Sequence, residues 1–276
     1  MLNSSLLFVT LTPTSAELIK NLCLAGIPCS LFDDRVVSEE MVGGHLFLQP
    51  CDVGAKVADC SIPRIQELNP HGKVLKASSI DVTGYSIVIS SMSILSELEN
   101  LTAQTKGKNI SFVTIDTFCG IFSTACISLA SPFSYRKETG KDTLSDSIEV
   151  DFPPMTDVLS FKDFASLKDR FGPVNSTFVK WVMMKVVGGV GLTADKVKGF
   201  LVSRNLPEDY LGGAGDVASG MNETSDASLP HIAAVFAGLV GQEIIKAVSG
   251  KGEPARNMLV FDGLTGEAKS FKVGCV

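Results

Sequence analysis

The residues from Leu6 to Asp34 constrain the fold most, because they read as one complete strand, helix and strand. Leu6–Val9 is a short apolar run of the buried-strand kind. Leu18, Ile19, Leu22 and Ala25 then share one helical face, and Gly26 stops the helix. The stretch from Ile27 to Phe32 returns to strand character and ends on Asp33 and Asp34. A unit of this length is a βαβ crossover, which predicts parallel strands. Strand-like runs at Lys73–Lys76, Ser86–Ile89 and Ile110–Ile115 and helical patterns over Asp52–Leu68 and Ser93–Thr105 continue the alternation. A Rossmann-like, doubly wound α/β domain is therefore expected over residues 1–130. Pro63 predicts a kink or a break in its helix.

The middle of the chain changes character. Residues 131–228 read as an insertion, mainly helical, with helices over Phe161–Phe171, Ser176–Gly188 and Thr193–Arg204. Residues 212–228 are rich in Gly, Ser, Asp and Asn, so a mobile loop is expected there. Residues 229–276 complete the α/β domain. Pro230 opens a helix through Val248 that is apolar on almost every side and so expected to be buried on most faces, and two strand-like runs around Asp262, Gly263, Thr265 and Gly266 make a terminal β-hairpin.

With 24 basic against 30 acidic side chains, the net charge of −6 creates no field that draws the chain to nucleic acid or an anionic membrane. Mean hydropathy is positive at +0.27. Even so, Gln242, Glu243 and Lys246 interrupt the most apolar stretch, so no membrane span is expected. Seven cysteines without a CxxC pair and only three histidines argue against a disulfide framework or a zinc knot. The start of the chain lacks the basic leader of a signal peptide, and the Asn-x-Ser/Thr triplets then carry no glycosylation, with nucleus and cytoplasm as the expected compartments.

Function is constrained mainly by what the first turn lacks. Nucleotide-binding α/β domains place glycines after the first strand so that backbone N–H groups can approach phosphates at a helix N-terminus. Here that turn reads Thr10-Leu11-Thr12-Pro13-Thr14-Ser15, without a glycine and with a proline that removes a donor. A helix N-cap by Thr14 or Ser15 is the simpler use of its hydroxyls. Asp33, at the position where an acid can hold a ribose, and Lys56, which could face a phosphate, complete a degenerate vestige with Thr10, Thr12, Pro13 and Ser15. No nucleophile elbow, HExxH, P-loop lysine or His/Cys cluster is present, so no catalytic residue and no metal site are expected.

Particular residues then carry a resemblance. Ala16-Glu17-Leu18-Ile19-Lys20-Asn21-Leu22 through Gly26-Ile27, Asp52-Val53-Gly54-Ala55-Lys56 with Arg64 and Glu67-Leu68-Asn69-Pro70, and Gly241-Gln242-Glu243-Ile244-Ile245-Lys246-Ala247 with Phe261-Asp262-Gly263 resemble the ThiF/MoeB-like adenylation fold of ubiquitin-like-protein activating enzymes. Catalytic members of that family carry an Asn/Arg run where this chain has Gly44-His45-Leu46-Phe47-Leu48-Gln49, and an Asp-Asn pair where it has Ser90-Ser91-Met92. The resemblance is thus to the non-catalytic half of a heterodimeric activating enzyme, closest to the SUMO type. It implies a larger catalytic partner subunit that holds ATP and Mg, no cofactor on this chain, contact with a SUMO-like modifier through the complex, and a partner interface that includes Phe236, Leu239 and Gln242. The sequence opens at the first strand, so no residue is carried over for the arginine-bearing segment that opens inactive halves. Without the resemblance, an autonomous Rossmann-fold enzyme with an atypical nucleotide turn and an adaptor on the same fold both stay open.

Overall fold

The computed structural model describes residues 5–91, 95–140, 143–168, 172–224 and 227–274. The elements in chain order begin with β1 (Leu6–Val9), α1 (Pro13–Leu24), β2 (Cys29–Phe32), α2 (Glu39–Val42), α3 (Val57–Leu68), β3 (Val74–Lys76), β4 (Ile87–Ser90), α4 (Leu95–Thr105), β5 (Ser111–Phe118) and β6 (Phe122–Ser128). Four short strands follow, β7 (Phe133–Tyr135), β8 (Glu138–Gly140), β9 (Thr143–Leu144) and β10 (Ile148–Val150). Then come α5 (Met155–Ser160), α6 (Ser176–Val187), α7 (Ala194–Ser203), α8 (Ala214–Thr224), α9 (Pro230–Ser249), β11 (Met258–Asp262) and β12 (Glu267–Phe271).

One eight-stranded sheet organises the chain in the order β12-β11-β6-β5-β4-β1-β2-β3. The five strands from β3 to β5 run parallel, in the 3-2-1-4-5 order of a Rossmann-like sheet. Beyond β5 the sheet turns antiparallel through β6, β11 and β12. Strand residues alternate between two cores because successive side chains point to opposite faces. Leu6 and Phe8, Ile87 and Ile89, Val113 and Ile115 join Leu18, Ile65, Phe236 and Val240 on one face. Leu7 and Val9, Val88 and Phe112 join Leu98, Phe164, Phe178 and Trp181 on the other.

Several sequence expectations change. Strand β6 has no counterpart among the strands expected from sequence, yet it pairs with β5 along its length and starts the antiparallel half of the sheet. Helix α3 begins at Val57 and runs through Pro63 without a break. The segment after residue 131 opens with two small antiparallel ladders before its helices, and Phe161–Phe171 holds only a 3-10 turn at Phe164–Leu167, its last three residues lying outside the described ones. Within 212–228, expected as a mobile loop, an eleven-residue helix forms, since Ala214, Ala218 and Met221 recur at helical spacing and are buried. Ser225 and Asp226 lie outside the described residues.

Helix α9 is long and apolar enough to cross a membrane by length and composition alone. It instead lays Ile232, Phe236, Ala237, Val240 and Ile244 onto the sheet. Gly241 faces α1, where a Cβ would make ordinary contact with Leu18 Cδ1 at 3.6 Å. The opposite stripe is not buried. His231, Val235 and Gln242 are exposed, with Leu239 half-buried between them. Gly263, in the β11–β12 turn, is more tightly held. An added Cβ would lie 2.8 Å from the Ile121 carbonyl oxygen and 2.5 Å from Ile232 Cδ1. The isoleucine can swing away but the backbone oxygen cannot, so Gly263→Ala should destabilise by about 1–3 kcal/mol in urea unfolding. An unchanged midpoint would mean that the turn relaxes freely.

Candidate functional site

Parallel α/β sheets place ligands outside the carboxyl ends of their strands, where the order reverses. That place in this fold is a cavity of about 620 Å³ at the ends of β1, β4 and β5. Thr10, Thr12 and Pro13 line it, whereas Ser15, Asp33 and Lys56 do not. The vestige read from sequence is therefore split between the cavity wall and the structure behind it.

The turn after β1 is closed by its own hydrogen bonds. Thr10 has a φ of 69°, a left-handed conformation that glycine adopts freely and a β-branched residue rarely does. The N-cap of α1 is Thr12, not Thr14 or Ser15. Its hydroxyl accepts from the Ser15 N–H, and the Ser15 hydroxyl accepts from the Thr12 N–H at 2.7 Å in a reciprocal capping box. Pro13, at the first helical position, has no N–H to offer. Thr14 donates to the Thr117 hydroxyl at 2.6 Å, which contacts Ser123 in turn.

Asp33 explains why the turn cannot open toward a phosphate. Its Oδ2 accepts from the Leu11 N–H at 2.7 Å and from Arg35 Nη2 at 2.7 Å, and its Oδ1 accepts from the Arg35 N–H and Nε at 3.1 and 3.0 Å. Arg35 also donates to the Leu11 carbonyl at 3.0 Å. The acid at the ribose position thus spends both oxygens inside the protein, and the loop N–H is consumed. Lys56 donates to the Asp34 carbonyl and so stays away from the cavity.

His45 completes this lock from the segment after α2. The Phe47 N–H donates to Nδ1 at 3.2 Å, so Nδ1 is bare and Nε2 carries the proton it donates to the Leu11 carbonyl at 3.1 Å. Burial, reinforced by the Arg35 charge, pushes the imidazole down to about 4, although the Leu11 bond and Asp33 pull the other way. Asp52 and Arg64 of the family-like motif also act structurally. They pair through both carboxylate oxygens, at 2.5 and 3.0 Å, while Arg64 donates to the Phe47 carbonyl at 2.6 Å, and the Arg64 hydrogen bond holds the Asp52 carboxyl down to about 2.

Deeper in the wall, Asp116 at the end of β5 accepts from Trp181 Nε1 at 2.8 Å and Lys185 Nζ at 2.9 Å, two α6 residues one turn apart. Sequence reading missed this trio, whose trace is a Trp and a Lys four residues apart in a largely apolar helix with one other lysine, Lys180. Ser91, at the position of the family's Asp-Asn pair, is buried against the cavity, and Met92 lies outside the described residues.

Other nucleophiles are poorly placed. Burial pushes Cys29 up, and Cys126 up to about 12. Cys51 is exposed and Cys60 and Cys119 half-buried, so buried thiols account for only part of the set, and Cys275 lies outside the described residues. His231 is exposed at the start of α9 rather than in the core. Among the described residues no cluster of His, Cys, Asp and Glu could hold a metal ion. Phe236, expected at a partner interface, is wholly buried in this chain's own core, because it lies about a third of a turn from the exposed Val235–Gln242 stripe. Leu239 and Gln242 do reach the surface.

Fold and site together define a Rossmann-like α/β protein whose first turn is tied shut by its own side chains. No protein-family model matches the chain. It is similar to SUMO-activating enzyme subunit 1B-1 of Arabidopsis thaliana, with 27% identity over 92% of this chain and 84% of that protein. It is also similar to SUMO-activating enzyme subunit 1 of Danio rerio, at 26% over 95% and 86%. The DNA damage tolerance protein rad31 of Schizosaccharomyces pombe matches at 22% over 98% and 90%. Two of these three relatives are named SUMO-activating enzyme subunits, and each match spans more than four fifths of both chains.

Proposed function

We propose that this chain is the non-catalytic subunit of a heterodimeric enzyme that activates a ubiquitin-like modifier, SUMO, on a ThiF/MoeB-type fold. A larger partner subunit binds ATP and Mg, adenylates the modifier and carries it as a thioester, in the nucleus and cytoplasm. The observation that carries this reading is the closed turn: Leu11 N–H and both oxygens of Asp33 are satisfied within the chain, Pro13 has no N–H, and the Ser15 N–H is bonded to Thr12. ATP does not fit such a site. End-to-end similarity to SUMO-activating enzyme subunits supplies the pathway. The role left to this subunit is to pair with and complete its partner.

Titrating the isolated chain with Mg-ATP in a calorimeter is the direct test of the site reading. No saturable heat is expected up to millimolar nucleotide, and a micromolar Kd would overturn it. For the partner surface, the exposed stripe of α9 offers Val235, Leu239 and Gln242. Val235→Arg with Gln242→Arg should abolish capture of the larger subunit while leaving the urea midpoint of the isolated chain nearly unchanged, since both side chains are exposed. Undiminished capture would move the interface elsewhere.

A further inference from the structure

We propose that the cavity at the carboxyl ends of β1, β4 and β5 is a binding site for a guanidinium or primary ammonium group. The site does not depend on the subunit role, since it rests on the chemistry of the wall alone. Its volume of about 620 Å³ is that of a small-molecule pocket. Two hydroxyls in its lining, Ser91 Oγ and Ser228 Oγ, are buried without a hydrogen-bond partner among the described residues, and Ser91 is only 4% exposed. A buried hydroxyl left unpaired costs about 1–3 kcal/mol, so an apolar occupant would leave that cost standing.

Charge decides the class of ligand. The two cations of the region are already matched: Arg35 is held by Asp33, and Lys185 by Asp116 in the wall. The α1 N-terminus, which would otherwise attract an anion, has Pro13 without a donor and its Ser15 N–H capped by Thr12. Two exposed carboxylates in the lining, Glu40 and Glu97, make no ion pair among the described residues. An entering anion meets both. An entering cation is attracted by both, and its N–H groups can donate to the waiting serine oxygens.

The test is calorimetric titration of the full chain with agmatine, which carries both cationic groups, and with N-acetylarginine amide, with sodium acetate as the anionic control. Saturable binding of at least one cation, none of acetate, and a weakening of roughly tenfold or more in Glu40→Gln/Glu97→Gln are expected. Both glutamates are exposed, so the double variant should fold normally. Binding of agmatine alone identifies a free amine as the ligand, and binding of the arginine amide identifies an arginine side chain of another protein. Silence from both cations, tighter binding of acetate, or an affinity unchanged in the double variant contradicts the site, as does a crystal structure grown with agmatine that shows only water at Ser91.

Discussion

Replacing Asp116 with alanine should lower the stability of this protein by about 3–5 kcal/mol, the largest single-residue effect expected outside the apolar core. The carboxylate is the shared acceptor for Trp181 Nε1 and Lys185 Nζ, and the lysine side chain is fully buried. Removing Asp116 takes away the carboxylate that pairs with the buried ammonium. The pair itself is a poor source of stability, because desolvating two ions offsets most of their attraction. Asp116→Leu combined with Lys185→Met should therefore recover most of the loss. Trp181 is the only tryptophan, so its fluorescence follows both the local environment and global unfolding in urea. A cost below about 1 kcal/mol for Asp116→Ala would mean that the ammonium finds water, and that α6 is not fastened to β5 through this contact.

His45 should make the fold sensitive to mild acid. The unfolded chain takes up the imidazole proton near pH 6.5, but the folded protein resists it until about 4, so protons favour unfolding between those values. The full contribution, roughly 3 kcal/mol, is present above pH 6.5 and disappears as pH falls through 4. About 2 kcal/mol of it is gone by pH 5. That window lies above most of the carboxylate range, which keeps acid titration of Asp and Glu from masking it. Protonation also evicts the Phe47 N–H from Nδ1, so the first sign of acid loosening should be faster hydrogen exchange at Phe47. Urea midpoints for the protein and for His45→Gln at pH 7 and pH 5 measure the effect. Equal slopes in the two proteins would assign the sensitivity to other groups.

Much of the parallel sheet was readable because its strands are buried on both faces and its helices keep a 3.6-residue stripe. β1, α1 and β2 declare themselves in this way, as do the terminal strands around Asp262. β6 did not, since Ser123, Thr124, Cys126 and Ser128 dilute its apolar signal, although the strand pairs with both β5 and β11. α8 was hidden by composition, with its glycines and acids outweighing the spacing of Ala214, Ala218 and Met221.

At the site, local sequence established what the turn lacks but not what replaces it. Asp33 was legible as an acid at a strand end. That it would close on Leu11 and Arg35 depends on the parallel register of β1 and β2, and Asp116 with Lys185 bridges 69 positions of chain. α9 failed in one respect only, because a helix apolar all round gives no signal for which stripe the sheet leaves uncovered.

The most direct measurement is capture of the tagged full chain from extract of its own cells, with mass spectrometry of what accompanies it and a SUMO thioester assay on the eluate. The account predicts a larger protein in near-stoichiometric amount, carrying a glycine-rich nucleotide turn and a thioester-forming cysteine, with ATP-dependent SUMO loading that the chain alone does not support. Recovery of the chain without such a partner, or SUMO loading by the purified chain itself, would contradict it.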